Sequence, residues 1–150
     1  MIPPASLRAP KRFHFHLPSV IGWVFVARFV GFENILPFRV CARDGEMVVA
    51  ENSGMRINLS QAVFGAIPDT FILAARPDGL SVSPDLSADG IPAQLGLRTY
   101  LGRAYQYQCE TPAGRVIANG SLGNPLEPGT PVRLIPLAEQ CCILAQEGAL

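Results

Sequence analysis

A chain of 150 residues has room for one domain, or two small lobes on a shared core, and can bury roughly 68–70% of its unfolded surface. Its 49% hydrophobic content argues against disorder, and 14 Gly with 14 Pro favour many turns over long helices. Twelve Lys and Arg balance twelve Asp and Glu, so the charge surplus that marks a nucleic-acid binder is missing.

Residues 1–16 read as an irregular leader made locally basic by Arg8, Lys11 and Arg12. His14 and His16 flank Phe15 and would share one face of a strand, but two imidazoles alone make a poor metal site. The apolar run from Leu17 to Phe32 carries Pro18 and Arg28 and falls short of the roughly 20 residues a bilayer span needs. No A-x-A-like site closes it, so it does not read as a cleaved secretory signal. Phe25, Val26 and Phe29 are instead expected to pack against the folded domain or a partner.

From Asn34 onward the pattern is β. Ile35 to Ala42 alternates weakly, Asp44-Gly45 marks a hairpin, and Met47 to Ala50 returns. Asn52-Ser53-Gly54 turns again before Met55 to Leu59, whose apolar residues recur with period two. Ser60 to Gly65 is read as one helical turn with Ser60 as its N-cap. Phe71 to Arg76 is an apolar strand stopped by Pro77-Asp78-Gly79. There Pro presets φ, Asp can bond its own backbone, and Gly tolerates positive φ. An Arg76–Asp78 ion pair is expected across that turn. Leu80 to Val82 opens the next extended piece, and residues 84–92 read as a polar surface loop.

The second half repeats the style. Gln94 to Leu101 alternates, and Gly102 is placed at a bulge or a close backbone approach. Tyr105, Tyr107 and Cys109 alternate with Gln106, Gln108 and Glu110; Thr111 to Gly114 turns; Arg115 to Ala118 pairs back. Residues 119–129 read as a loop and Pro131 to Leu134 as a strand leaving it. Cys141 to Leu144 is read as a closing strand, although the Ala, Leu, Glu and Gln around it favour helix. Cys41, Cys109, Cys141 and Cys142 form no C-x-x-C pair, and vicinal cysteines on a strand face opposite ways, so buried or half-buried reduced thiols are expected. Short antiparallel strands at 8–12-residue spacing predict an all-β chain, a small antiparallel barrel of the open OB type.

Four patches in order carry a family resemblance. Phe25-Val26-Ala27-Arg28-Phe29-Val30-Gly31-Phe32-Glu33-Asn34 resembles an F-V-A-x-F-x-G-x-x-N segment, and Arg76-Pro77-Asp78 resembles R-P-E with Asp for Glu. Tyr100-Leu101-Gly102 and Gly129-Thr130-Pro131-Val132-Arg133-Leu134 resemble the start of a second repeat and a closing G-x-x-V-x-L. Together they are similar to the transport-associated OB (TOBE) domain, the C-terminal regulatory part of ATP-binding subunits in ABC importers for iron, polyamines and sugars. The resemblance implies a TOBE/MOP-like barrel, with two interlocked lobes as one form of it. It marks Phe25, Gly31, Asn34, Arg76, Pro77, Asp78, Gly102 and Gly129 as motif positions. It divides the chain into a leader at 1–22, expected to be non-native sequence without a fold of its own, a linker at 23–33 and the regulatory domain at 34–146. Nothing before Trp23 resembles a nucleotide-binding domain, so the expectation is either a piece of a longer gene or an orphan domain.

The chemistry in the sequence is sparse. Neither G-x-x-x-x-G-K-[ST] nor L-S-G-G-Q occurs, and Lys11, the only lysine, lies in the leader. G-x-S-x-G and H-E-x-x-H are also missing, so no catalytic residue, cofactor or metal ligand is assigned and no enzyme is expected. The resemblance implies as partners an ABC nucleotide-binding domain, a second copy of this chain and, through them, the membrane permease. It implies a cytoplasmic site at the inner membrane without a span. Two other classes are weighed: a free-standing oxyanion-binding module of the same fold, and a single-stranded nucleic-acid binder using Tyr105 and Tyr107 as a stacking face. The neutral charge disfavours the last.

Overall fold

Period-two patterning becomes ten strands in the computed structural model, which describes residues 31–145. They are β1 (Asn34–Asp44), β2 (Met47–Asn52), β3 (Met55–Ser60), β4 (Thr70–Ala75), β5 (Leu80–Ser83), β6 (Ile91–Tyr100), β7 (Tyr105–Thr111), β8 (Gly114–Gly120), β9 (Pro131–Pro136) and β10 (Cys141–Ala145). Among the described residues, helix is limited to the single turn α1 (Gln61–Phe64) and 3-10 turns at Pro77–Gly79 and Ala138–Gln140. All pairings among the described residues are antiparallel. The fold is thus the all-β, OB-like arrangement that the sequence predicts.

The strands form two five-stranded sheets, ordered β10-β4-β1-β2-β3 in sheet A and β5-β9-β6-β7-β8 in sheet B. Each sheet contains the same unit. In the first, β1 pairs with β2 on one side and β4 on the other, and β3 pairs with β2. In the second, β6 pairs with β7 and β9, and β8 pairs with β7. The fifth strands are exchanged. β5 follows β4 in the chain but pairs with β9 of sheet B, while β10 follows β9 but pairs with β4 of sheet A. The two lobes are interlocked by this exchange. In sheet B, β5 comes back into contact with β8, which curls that sheet toward a half-barrel.

Local chemistry explains the tips. Asp44 is the last residue of β1, opposite Met47, and the loop is Gly45-Glu46. Ser53 and Gly54 join β2 to β3 with φ of 53° and 85°, the paired left-handed geometry of a type I′ hairpin. At the third tip Thr111 Oγ1 accepts from the Ala113 amide at 3.0 Å and donates to the Gly114 carbonyl at 2.7 Å. Both long strands carry a register shift, between Val40 and Ala42 in β1 and between Leu95 and Arg98 in β6. The shift lies where each strand hands over from one neighbour to the other.

Several sequence expectations are corrected. The bulge of the second repeat falls at Gly96–Leu97, not at Gly102, which occupies the turn after β6 with φ 89°. β6 begins at Ile91 rather than Gln94, taking Pro92 into the sheet near the strand start, where Pro is tolerated. β8 runs on to Gly120, and β9 to Pro136. Ser60 does precede α1, but its side chain makes no capping bond. Phe25, Val26 and Phe29, the histidines and the leader lie outside the described residues.

One core serves both sheets. Leu36, Phe38, Val48, Ile57, Leu59, Phe71 and Leu73 meet Leu95, Tyr107, Val116, Val132 and Leu134 in a single cluster. Phe38 and Phe71 stack at its centre, ring centroids 5.7 Å apart. Truncating Phe71, which is fully buried, would leave a cavity costing about 3–5 kcal/mol.

Cys109, Cys141 and Cys142 are buried, but Cys41, at the β1 bulge, is exposed, against the expectation of buried or half-buried thiols throughout. Burial pushes the three inner thiols up to about 12 from 9.0. Raised folded-state values fix the sign of the pH dependence. Below the ordinary thiol value both states are neutral and this contribution to stability is fully present. As pH rises toward the folded-state value only the unfolded state ionises, and the contribution is lost. The urea midpoint is therefore expected to fall as pH climbs from about 9 to about 12. In the native chain at neutral pH, Cys41 alone should react rapidly with iodoacetamide; equal labelling of Cys109 would contradict this burial.

Candidate functional site at the sheet crossover

Five of the motif residues, Gly31, Asn34, Arg76, Pro77 and Asp78, gather where the chain changes sheets. The apolar β4 ends at Ala75 because Pro77 has no amide to continue a ladder, and Pro77–Gly79 forms a 3-10 turn with Gly79 N–H donating to the Arg76 carbonyl at 2.7 Å. The return crossing is built alike: the Gln140 amide donates to the Leu137 carbonyl at 2.9 Å. These two corners then bond each other reciprocally. The Arg76 amide donates to the Gln140 carbonyl at 3.1 Å, and the Leu137 amide to the Gly79 carbonyl at 2.8 Å. Gly79 is buried, and a Cβ there would stand 2.7 Å from the Gln140 carbonyl oxygen. Only glycine allows this approach.

The side chains extend the link. Asn34, the first residue of β1 and 3% exposed, spans from sheet A to sheet B. Its Nδ2 donates to the Ile117 carbonyl at 2.7 Å and its Oδ1 accepts from the Ile117 amide at 2.7 Å. One side-chain amide thus takes the place of a strand neighbour along β8. Arg76 lies over the ring of Phe32, its guanidinium carbon 4.6 Å from the centroid. Gly31, with φ 97°, leaves room for that guanidinium, since a Cβ would meet Nη1 at 2.7 Å.

Asp78 does not pair with Arg76, as the sequence suggests. Its Oδ1 accepts from Asn119 Nδ2 at 2.7 Å and faces Arg103 Nη1 at 3.5 Å. Both Arg103 and Asp78 keep much of their surface in solvent, so the pair adds little stability. Asn119 Oδ1 is buried without a hydrogen-bond partner. The motif glycines Gly102 and Gly129 lie apart from this cluster. Each has positive φ, 89° and 93°, and each turns the chain at a strand end of sheet B. Gly129 N–H donates to the Leu95 carbonyl at 2.6 Å.

Tyr105 and Tyr107 share a face but form no open stacking platform. Tyr107 is fully buried, and its hydroxyl accepts from the Leu126 amide at 2.9 Å. Arg98 covers the Tyr105 ring at 4.9 Å and donates to the Leu126 carbonyl at 2.9 Å. Among the described residues no three His, Cys, Asp or Glu side chains converge on a metal-binding geometry. The lowered carboxyl of Asp85 comes from hydrogen bonds with Ser87 on an exposed loop, a local turn rather than a reactive centre. Local sequence pattern gave no sign of Ile117, Arg103, Asn119 or Gln140 as partners, because they reach the motif through pairing far along the chain.

Residues 73–144 match the family description "TOBE domain". A crystal structure of the cytoplasmic molybdate-binding protein ModG, with molybdate bound, shares the fold at a TM-score of 0.52. Sequence identity is 12%, over 74% of this chain and 94% of that one. No curated protein matches the sequence. No helix among the described residues is long and apolar enough to cross a membrane.

Two substitutions test the crossover. Asn34→Ala leaves the Ile117 amide and carbonyl without their partners, so stability in urea should fall by about 2–3 kcal/mol. Gly79→Ala forces the two corners apart and should cost about 1–3 kcal/mol. A loss below about 0.5 kcal/mol for either would place that residue outside the structural link.

Proposed function

We propose that this chain, which carries a TOBE domain, is a non-catalytic regulatory module that acts on the ATP-binding subunit of an ABC importer. The observation that carries this reading is the TOBE match over residues 73–144. Support also comes from the Phe25 to Asn34 segment, which resembles the link between the ATPase and regulatory domains in that group. With no phosphate-cradling Gly-Lys loop in its sequence, the module works by contact, biasing the association or closure of a partner's ATPase domains. Leu97, Tyr100 and Leu101, 61%, 66% and 40% exposed, offer apolar surface on sheet B for such contacts, with a second copy or with the ATPase.

Fold likeness to a molybdate-binding protein favours a second reading, a free-standing oxyanion-binding module. Against it, Asp78 places a carboxylate beside Arg103 in the motif cluster, and a carboxylate repels an oxyanion.

Titration calorimetry of the purified chain with Mg-ATP and with molybdate, and cross-linking of the tagged chain in its native cells, separate these readings. The importer reading predicts no saturable binding of either ligand, no phosphate release, and recovery of an ATP-binding subunit. Micromolar molybdate binding would transfer the assignment to the second reading, and ATP turnover above a heat-killed control would defeat both.

A further inference from the structure

The connections 61–69 in sheet A and 121–130 in sheet B hold equivalent places. Each leaves the outer strand of the repeated unit, β3 or β8, and returns on the far side of β1 or β6. Each is tied, as it returns, to the residue beside a register shift. The Val40 amide donates to the Asp69 carbonyl at 2.7 Å, and the Leu95 amide to the Thr130 carbonyl at 3.0 Å. Each also seats one aliphatic residue whose backbone is held by side chains. In sheet A the Ile67 amide donates to Gln61 Oε1 at 2.9 Å, and its carbonyl accepts from Arg43 Nη2 at 2.8 Å. In sheet B the residue is Leu126, whose amide donates to the Tyr107 hydroxyl and whose carbonyl accepts from Arg98 Nη1, both at 2.9 Å. Arg98 and Tyr107 stand opposite each other on β6 and β7, so one cross-strand pair grips both backbone groups of Leu126.

The two closures differ in depth. Ile67 is 3% exposed and belongs to the core cluster, whereas Leu126 is half-buried and only packs against it. From Ser121 to Pro128 every other residue is exposed. Among the described residues, this stretch reaches the sheet only through Leu126 and through Glu127, whose carboxylate lies 3.7 Å from Arg98. Its remaining bonds are local, such as those from the Gly123 and Asn124 amides to Ser121. A segment with so few buried contacts belongs to the low-stability end of a fold. Pro125 and Pro128 fix φ on either side of Leu126-Glu127, while Gly120 and Gly129, the latter at φ 93°, flank the stretch. A stiff piece is thus hung between two glycines. We propose that residues 121–128 form a lid on sheet B, latched at Leu126 by Arg98 and Tyr107, which opens while both sheets stay folded. Opening frees the Arg98 guanidinium and the Tyr107 hydroxyl and bares the apolar surface beneath Leu126. The inference does not depend on the importer reading.

Residue-resolved hydrogen exchange on the full-length chain tests it. The Leu126 amide should be protected about a hundredfold less than the slowest amides of β7, and its exchange should not respond to urea below the unfolding transition. The Ile67 amide should exchange with the slow group. Leu126 protected as strongly as β7, or sharing its urea dependence, would overturn the proposal. So would a Leu126 amide with no protection at all, since nothing would then be latched, or an Ile67 amide as weakly protected as Leu126. Arg98→Gln removes one jaw of the latch from a partly exposed site. It should speed Leu126 exchange by about tenfold while that exchange stays independent of urea. An unchanged Leu126 rate, or one that becomes urea-dependent, would also overturn the lid. Should the variant fail to fold, the measurement on the native chain decides the matter alone.

Discussion

Everything in this fold hangs on a pair of chain crossings that hold one another. β4 delivers its chain to sheet B and β9 delivers its chain to sheet A, and the two corners meet through reciprocal bonds between Arg76 and Gln140 and between Leu137 and Gly79. A strand exchanged between two lobes must leave one sheet at the point where the other strand enters. That geometry needs backbone against backbone, and Gly79 supplies the room. Because β5 completes sheet B and β10 completes sheet A, neither lobe has its full set of strands without the other's chain. The shared core is the consequence.

Asn34 is the second tie between the sheets, and it works differently. A buried side-chain amide costs stability unless its NH2 and its oxygen find partners, and here Ile117 bonds each of them once. The bond fixes the start of β1 relative to β8 and leaves no freedom to slide. Alongside it, the ring of Phe32 gives the Arg76 guanidinium an aromatic face instead of open water. Motif residues that sit far apart in the sequence thus become one bracket around the crossover. Two links, corner to corner and Asn34 to Ile117, hold the half-barrel of sheet B against sheet A, and the Arg76–Phe32 contact braces the sheet A side of the crossover.

Much of the architecture was legible in the residues. Asp44-Gly45, Ser53-Gly54 and Pro112-Ala113 announced hairpins through turn chemistry that acts over four residues, and the alternation of Met55, Ile57 and Leu59 announced which face is buried. The register shift at Cys41 was not legible, because no residue there marks it, and the one in β6 was placed at Gly102 although Gly96, inside the strand, carries the same sign. Strand limits at Ile91 and Pro136 were missed for a related reason: a Pro lowers local strand preference, but pairing with a neighbour overrides it. Of the motif cluster, Pro77-Asp78-Gly79 could be read as a turn, while the Arg76–Asp78 pair was misjudged. Neighbours in sequence are pulled apart when the turn aims one side chain at Phe32 and the other at Asn119 and Arg103.

The exchange ties each sheet to the other's chain, and a regulatory role through contact, as proposed above, would draw on that tie. The central claim is that the exchange makes the two sheets a single cooperative unit. Native-state hydrogen exchange, resolved by residue, tests this most directly. The account predicts that the slowest amides of β4 in sheet A and of β7 in sheet B open with the same free energy and the same dependence on denaturant. Sheet A exchanging at a clearly lower opening free energy than sheet B would contradict it.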